Sequence, residues 1–304
     1  MHWINDETYL EIVQPKEFNF KECLLFLNRS NQEILHSIQG DVLYKLLNID
    51  EQLILCKISE RGNNIKVEFP MEQPTANVRE RIVQYLMDWF DVKQDLACFY
   101  KMANQDKILQ PLVEKYSGLR LIGIPDLFEA LVWAIIGQQI NLPFAYTLKK
   151  RFVEQFGEYV SFEGQSYWLF PPPEKVATIQ VEDLRSLQFT LRKSEYIIDI
   201  AKSMANGQLT KELLKQKDNY EDKKKSLMAI RGIGAWTADY VLMKCLQEPS
   251  AFPIADVGLH NALKTQLALE RKPTIEEINH YAKHWQGWQA YGTFYLWRSL
   301  YENV

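Results

Sequence analysis

No apolar run in this 304-residue chain approaches the roughly 20 residues of a membrane span, so nothing in it reads as a transmembrane helix. The opening residues, Met1-His-Trp-Ile-Asn-Asp-Glu7, lack the basic and apolar regions of a secretory signal. Cysteine is scarce. Cys23, Cys56, Cys98 and Cys245 form no close pairs, which suits free thiols in a reducing cytosol and excludes an obvious zinc or iron–sulfur ligand set. Histidine is scarce too, and no His-Glu-x-x-His pattern occurs. His280 and His284 stand one helical turn apart without a third ligand, so they read as an exposed helix face rather than a metal pair. Internal repeats and low-complexity segments are also missing.

A basic excess is likewise absent, since the net charge is −4. That acidity is local. Residues 1–110 hold 12 Lys+Arg against 17 Asp+Glu, and the remainder holds 23 against 22. The second part carries the basic clusters Lys149-Lys-Arg151 and Lys223-Lys-Lys225; such a run is usually a solvated face, but a local patch is able to bind phosphates even in an acidic protein. With 47% hydrophobic and 24% charged residues, the chain has enough apolar material for about two cored domains, which excludes disorder.

The expected fold class is α+β. Residues 1–110 read as an antiparallel β-sheet domain with flanking helices. Tyr44–Ile49, Leu53–Ser59 and Ile65–Phe69 are strand-like, with turns at Asp50-Glu51 and Arg61-Gly-Asn-Asn64. Phe20–Leu27 has helical spacing, as do Val78, Ile82, Leu86 and Trp89, and a further helix is expected over Leu96–Met102. Residues 111–304 read as helix after helix: two helical lobes with a cleft between them. Asp126 and Glu129 predict a capping box at the start of one helix, which ends in Gly137-Gln-Gln139. Trp168-Leu-Phe-Pro-Pro-Pro173 is expected to be a rigid connector.

The stretch Leu227-Met-Ala-Ile-Arg-Gly-Ile-Gly-Ala-Trp-Thr-Ala238 reads as two helices joined by a glycine hairpin. Gly232 and Gly234 stand where a sharp turn favours residues free to take positive φ. The helix that follows presents unpaired N–H groups, a ready anion site. An ordinary turn between helices fits the hairpin alone equally well. Asp256, 22 residues after Gly234, suits a helix N-cap when read alone.

Together these stretches are more specific. Gly232-Ile-Gly-Ala-Trp-Thr-Ala238, then Pro253-Ile-Ala-Asp256, resembles the helix-hairpin-helix superfamily of DNA glycosylases. Gly118-Leu-Arg-Leu-Ile-Gly-Ile-Pro-Asp-Leu-Phe-Glu129 and Ala134-Ile-Ile-Gly-Gln-Gln-Ile140 are similar to segments of its bacterial alkylation-repair branch, 3-methyladenine DNA glycosylase II. The likeness covers about 118–301, and the β region fits by architecture. The resemblance implies Asp256 as catalytic aspartate, and Gly232, Gly234 and Thr237 as phosphate-binding positions. It implies Trp236, Tyr240 and Trp297 as walls of a base pocket, and Gln139 as the wedge that fills the duplex. Carbonyls of Met228, Ile230 and Ile233 match a site for a monovalent Na+ or K+; no other cofactor is expected.

The chain departs from the branch at several positions. Bifunctional relatives carry lysine where Trp236 stands, so no Schiff base and no strand cleavage are expected. Proline often precedes the first hairpin glycine; here Arg231 does, adding a phosphate contact. The four-cysteine cluster of other branches is missing, Gln139 is a polar wedge, and Arg298 stands where tyrosine often follows the pocket tryptophan. The expected partner is duplex DNA holding a damaged base, met by a monomer in the bacterial cytoplasm at the nucleoid. The expected reaction is release of alkylated purines, of the 3-methyladenine and 7-methylguanine type, by base flipping and N-glycosidic hydrolysis. Alternatives are a glycosylase for deaminated or oxidised purines, a non-catalytic helix-hairpin-helix DNA-binding module, and a helical scaffold.

Overall fold

The computed structural model describes residues 2–301. The first part holds strands β1 (Trp3–Asn5), β2 (Tyr9–Val13), β3 (Ser37–Gln39), β4 (Val42–Ile49), β5 (Gln52–Arg61) and β6 (Asn64–Glu68), with helix α1 (Phe20–Leu27) between β2 and β3. They form one antiparallel sheet in the order β1-β2-β6-β5-β4-β3. The β4–β5 hairpin turns on Asp50 and Glu51, both at positive φ (52° and 64°), the geometry that matches strand twist in a two-residue loop. One sheet face buries Leu10, Leu43, Leu47, Cys56, Ile58 and Val67 in the main core. Helix α1 is capped by Asn19, whose side chain accepts from the Glu22 N–H, and buries Phe20, Cys23, Leu24, Phe26 and Leu27, one helical face.

The helical part comprises α2 (Ala76–Trp89), α3 (Ala97–Ala103), α4 (Gln110–Lys115), α5 (Leu127–Gly137) and α6 (Leu142–Phe156). After a two-stranded interruption come α7 (Pro173–Val176), α8 (Val181–Ser186), α9 (Leu191–Ala205), α10 (Lys211–Lys215), α11 (Tyr220–Met228), α12 (Ala235–Lys244), α13 (Val257–Gln266), α14 (Ile275–Tyr281) and α15 (Gln289–Arg298). The interruption corrects the reading of unbroken helices. Strands β7 (Glu158–Phe162) and β8 (Gln165–Leu169) form a hairpin just before the prolines. Tyr167 packs with Tyr44, Leu46 and Leu55 on the outer face of β4 and β5. Those two strands are therefore buried on both faces, and their sequences do not alternate as a half-exposed strand would. The capping box at α5 is also only half made. Asp126 accepts from the Glu129 N–H at 2.6 Å, but the Glu129 carboxylate turns away toward Lys149, 3.8 Å off.

The two ends of the chain interlock. Phe26 of α1 lies 4.4 Å from Phe294 of α15, ring to ring, and the Arg298 Nε–H donates to Glu22 at 3.1 Å. Tyr100 and Tyr295 share a hydroxyl hydrogen bond of 2.8 Å, and the Trp285 indole donates to Asp106 at 2.8 Å. Asp91, at the end of α2, accepts from the Tyr291 hydroxyl at 2.5 Å and from Gln247 at 2.9 Å. Burial pushes the Asp91 carboxyl up to about 7. The folded chain therefore holds a proton there that the unfolded chain has lost above its ordinary carboxyl range. Stability contributed by this group is full at low pH and falls as pH rises toward 7, by up to about 1.4 kcal/mol per unit. Melting curves between pH 5 and 8 should show that decline, and Asp91→Asn should flatten it.

Candidate active site

Helices α5, α12, α13 and α15 bring the expected residues to one cleft of about 720 Å³, lined by Gln139, Trp236, Tyr240, Asp256 and Trp297 among others. Asp256 lines this cleft. It is the N-cap of α13, with Oδ1 accepting from the Leu259 N–H at 2.8 Å. The same oxygen accepts from the Trp297 Nε1–H at 2.7 Å, and Oδ2 accepts from the Trp236 Nε1–H at 3.2 Å. Three donors thus pin the carboxylate at a helix N-terminus, where the helix dipole favours negative charge. Gly258 makes room for this arrangement: a Cβ there would stand 2.8 Å from Asp256 Oδ1 and 3.2 Å from the Trp297 ring.

Tyr240 sits between the two indoles, its ring centre 5.6 Å from Trp236 and 6.0 Å from Trp297. The Trp133 indole of α5 donates to the Tyr240 hydroxyl at 2.9 Å and so fixes the ring. Burial pushes that phenol up, and it stays neutral. The three rings make an electron-rich cleft wall suited to stacking on a flat, positively charged heterocycle.

The hairpin lies beside this cleft. Gly232 has φ +92°, but Gly234 is extended at φ −90°, so only the first glycine serves the turn by its backbone freedom. Gly232 also abuts the Tyr196 ring, which a Cβ would approach to 2.4 Å. At Gly234 a Cβ would meet nothing within 4 Å, and no side chain caps α12 there. Open space in front of uncapped N–H groups is what an approaching phosphate needs. Gly232→Ala is therefore expected to lower the melting temperature by several degrees, from strain and the Tyr196 clash. Gly234→Ala should melt within about 1 °C of the parent and show its defect in DNA affinity instead.

Other expected contacts fall differently. The Thr237 hydroxyl is buried and accepts from the Gln138 side chain at 3.0 Å. Arg231 is exposed, but its guanidinium pairs with Glu195 at 2.5 Å and Asp199 at 3.3 Å. Gln139 is exposed at the cleft edge with φ +56°, the tip of the loop between α5 and α6. The carbonyls of Met228, Ile230 and Ile233 lie along the turn after α11, where the Ile230 carbonyl accepts from the Ile233 N–H at 3.1 Å.

The basic clusters are mostly used internally, which corrects their reading as phosphate patches. Lys149 is buried on Glu33, Lys223 pairs with Glu248 and Lys224 with Asp239, each near 3 Å. Lys150 and Lys225 remain solvent-facing.

Arg29, from just past α1, also lines the cleft and was not legible in the sequence, where nothing relates it to the hairpin by spacing. Its guanidinium lies 4.2 Å from the Phe26 ring and donates to the Phe26 carbonyl at 2.9 Å. Adjoining the cleft at Arg29 and Tyr240, a smaller cavity of about 50 Å³ is also bounded by Glu33, His36 and Lys149. Burial alone would raise the Glu33 carboxyl, but the Lys149 ammonium overrides it, with His36 and the Leu35 N–H assisting, and holds it well below the usual range. Burial pushes His36 down to about 4, so it is neutral at physiological pH.

Comparison with known proteins gives the family. Residues 132–287 match the family "HhH-GPD superfamily base excision DNA repair protein", and residues 10–131 match "8-oxoguanine DNA glycosylase, N-terminal domain". The two family matches meet at residues 131 and 132, inside α5. A DNA-3-methyladenine glycosylase of Bacillus subtilis is 46% identical over 99% of both chains. DNA-3-methyladenine glycosylase 2 of Escherichia coli is 30% identical over 67% of each. Among solved structures, a 3-methyladenine DNA glycosylase from Archaeoglobus fulgidus superposes with a TM-score of 0.81 at 24% identity, over 94% of this chain and 97% of that one. An 8-oxoguanine glycosylase/lyase of Clostridium acetobutylicum reaches 0.77 at 19% identity over 100% and 98%, a likeness of fold.

Proposed function

As a member of the HhH-GPD superfamily of base excision DNA repair proteins, to which this chain belongs, the protein is a DNA glycosylase, and we propose that it hydrolyses alkylated purines from duplex DNA without cutting the strand. The observation that carries the proposal is Asp256, held by three N–H donors beside an aromatic cleft and next to an open helix N-terminus. The likeness to DNA-3-methyladenine glycosylases supports the substrate class.

The chemistry runs as follows. The hairpin N–H groups hold a backbone phosphate, and the target nucleotide leaves the stack at a cost of a few kcal/mol. Gln139 at the loop tip takes its place in the duplex. The flipped base stacks on Trp236, Tyr240 and Trp297. Methylation at N3 or N7 makes the base cationic, so it departs with its bonding electrons as a neutral purine. Positive charge then develops on the deoxyribose, and the Asp256 carboxylate stabilises it and takes a proton from the attacking water. Trp236 occupies the place of the amine a lyase would need. A monomer suffices for this reaction, since the cleft residues named all come from one chain. It works where duplex DNA lies in the bacterial cytoplasm; no helix among the described residues is long and apolar enough to cross a membrane. The turn carbonyls of Met228, Ile230 and Ile233 would hold a monovalent cation, stiffening the hairpin.

The test is release of free base from methylated duplex DNA, with products separated and identified. 3-Methyladenine and 7-methylguanine should appear, and strands should break only after alkali treatment. Absence of both bases, or direct strand breaks, refutes the proposal.

A further inference from the structure

Helix α9 touches both working parts of the site. The Lys193 ammonium, buried among its neighbours, donates to the carbonyls of Ile136 at 2.7 Å and Gln138 at 2.8 Å. These carbonyls end α5, where the helix dipole favours a cation. One residue on is Gln139, a non-glycine residue in the left-handed region, which the surrounding contacts must hold in place. The Gln138 side chain meanwhile donates to the Gly232 carbonyl and the Thr237 hydroxyl, both at 3.0 Å. One turn further along α9, Tyr196 packs on Gly232, and Glu195 and Asp199 hold Arg231. The tip loop and the phosphate-gripping turn are therefore braced against each other through Gln138 and against one helix through Lys193 and Tyr196.

We propose that Lys193 is a positioning residue for nucleotide extrusion: it fixes the Gln139 loop at a set distance from the hairpin, so that gripping the backbone delivers the wedge into the duplex. This rests on the base-flipping reading above. Lys193 is buried and does not line the cleft. Its role is to keep a strained loop from relaxing when the duplex pushes back, which matters most when the target base is firmly paired.

The test compares Lys193→Met with the parent chain on two duplexes carrying 7-methylguanine, one opposite cytosine and one opposite an abasic analogue. Opposite cytosine, single-turnover excision should slow by about 10-fold or more, because extrusion must break a pair. Opposite the abasic analogue, excision should stay within about threefold, and so should affinity for an abasic duplex, since the grip remains. Gln138→Met, which cuts the other brace, should show the same split and serves if Lys193→Met does not fold. Equal losses on both duplexes, or no loss on either, would overturn the positioning role while leaving the function intact. A parent chain that released no 7-methylguanine from either duplex would sink the functional reading and this inference with it.

Discussion

Asp256→Asn is expected to bind duplex DNA as the parent does and to excise methylated bases about 10²-fold more slowly, or worse. The substitution keeps the shape. An amide oxygen still accepts from the Leu259 N–H and the Trp297 indole, which now bond Oδ1 at 2.8 and 2.7 Å, so the N-cap of α13 survives. The negative charge is lost, and the amide nitrogen is set against the Trp236 N–H that Oδ2 accepts. What vanishes is stabilisation of charge on the sugar, an interaction stronger in the transition state than in the bound substrate. The measurement is single-turnover release of 7-methylguanine beside a binding titration on the same duplex. Parental excision by the variant would remove Asp256 from the chemistry. A loss confined to binding would reassign it to holding the hairpin side of the cleft.

Lys149→Met should lower stability by about 3–5 kcal/mol, the cost of leaving a buried charge without its partner. The Lys149 ammonium lies 3.1 and 3.0 Å from the two Glu33 oxygens, and both side chains are over nine-tenths buried. Glu33 also accepts from the N–H groups of Ile34 and Leu35, so its charge is fixed in place and cannot turn to water. The Glu33 carboxyl is held low in the folded state. Its contribution is therefore full above the ordinary carboxyl range and is lost only as pH falls far below it. Removing the ammonium reverses that: burial then favours the protonated acid, and the variant should regain stability as pH drops toward 5. Thermal melts of both chains at pH 5 and 7.5 test this. A melting temperature within about 2 °C of the parent at pH 7.5 would show that the pair contributes little. Replacing both residues, Lys149→Met with Glu33→Leu, should recover much of the loss.

The site was more legible in the sequence than its supports were. The hairpin, Asp256 and the aromatic walls announce themselves because backbone freedom, a charge and a ring are local properties with a spacing. Asp256 suits an N-cap by its sequence, and capping α13 is also how its carboxylate comes to face the cleft. Gly234 was misread for the same local reason: a glycine beside a turn suggests positive φ, whereas here it keeps space clear. The β7–β8 hairpin went unseen because its strands are short and Tyr167-Trp-Leu169 shows no polar–apolar alternation. Its partner surface on β4 and β5, over 100 residues earlier, is what makes it a strand pair. Arg29, Lys193 and the Lys149–Glu33 pair likewise depend on contacts between distant segments. A charged residue destined for burial looks like any surface charge until its partner is located, which is why the basic clusters read as phosphate patches.

The interlock of α1 with α15 sets a condition on how the protein is made. Phe26 and Arg29 precede Phe294, Trp297 and Arg298 by more than 260 residues and are synthesised long before them. At about 5–20 residues per second, the ribosome holds the α1 face without its lasting cover for tens of seconds. The sheet and α1 must wait as a partly exposed unit until α15 emerges. A nascent chain that lacks α15 has no finished cleft, and a chain cut before α15 should aggregate, because the apolar α1 face then stays bare.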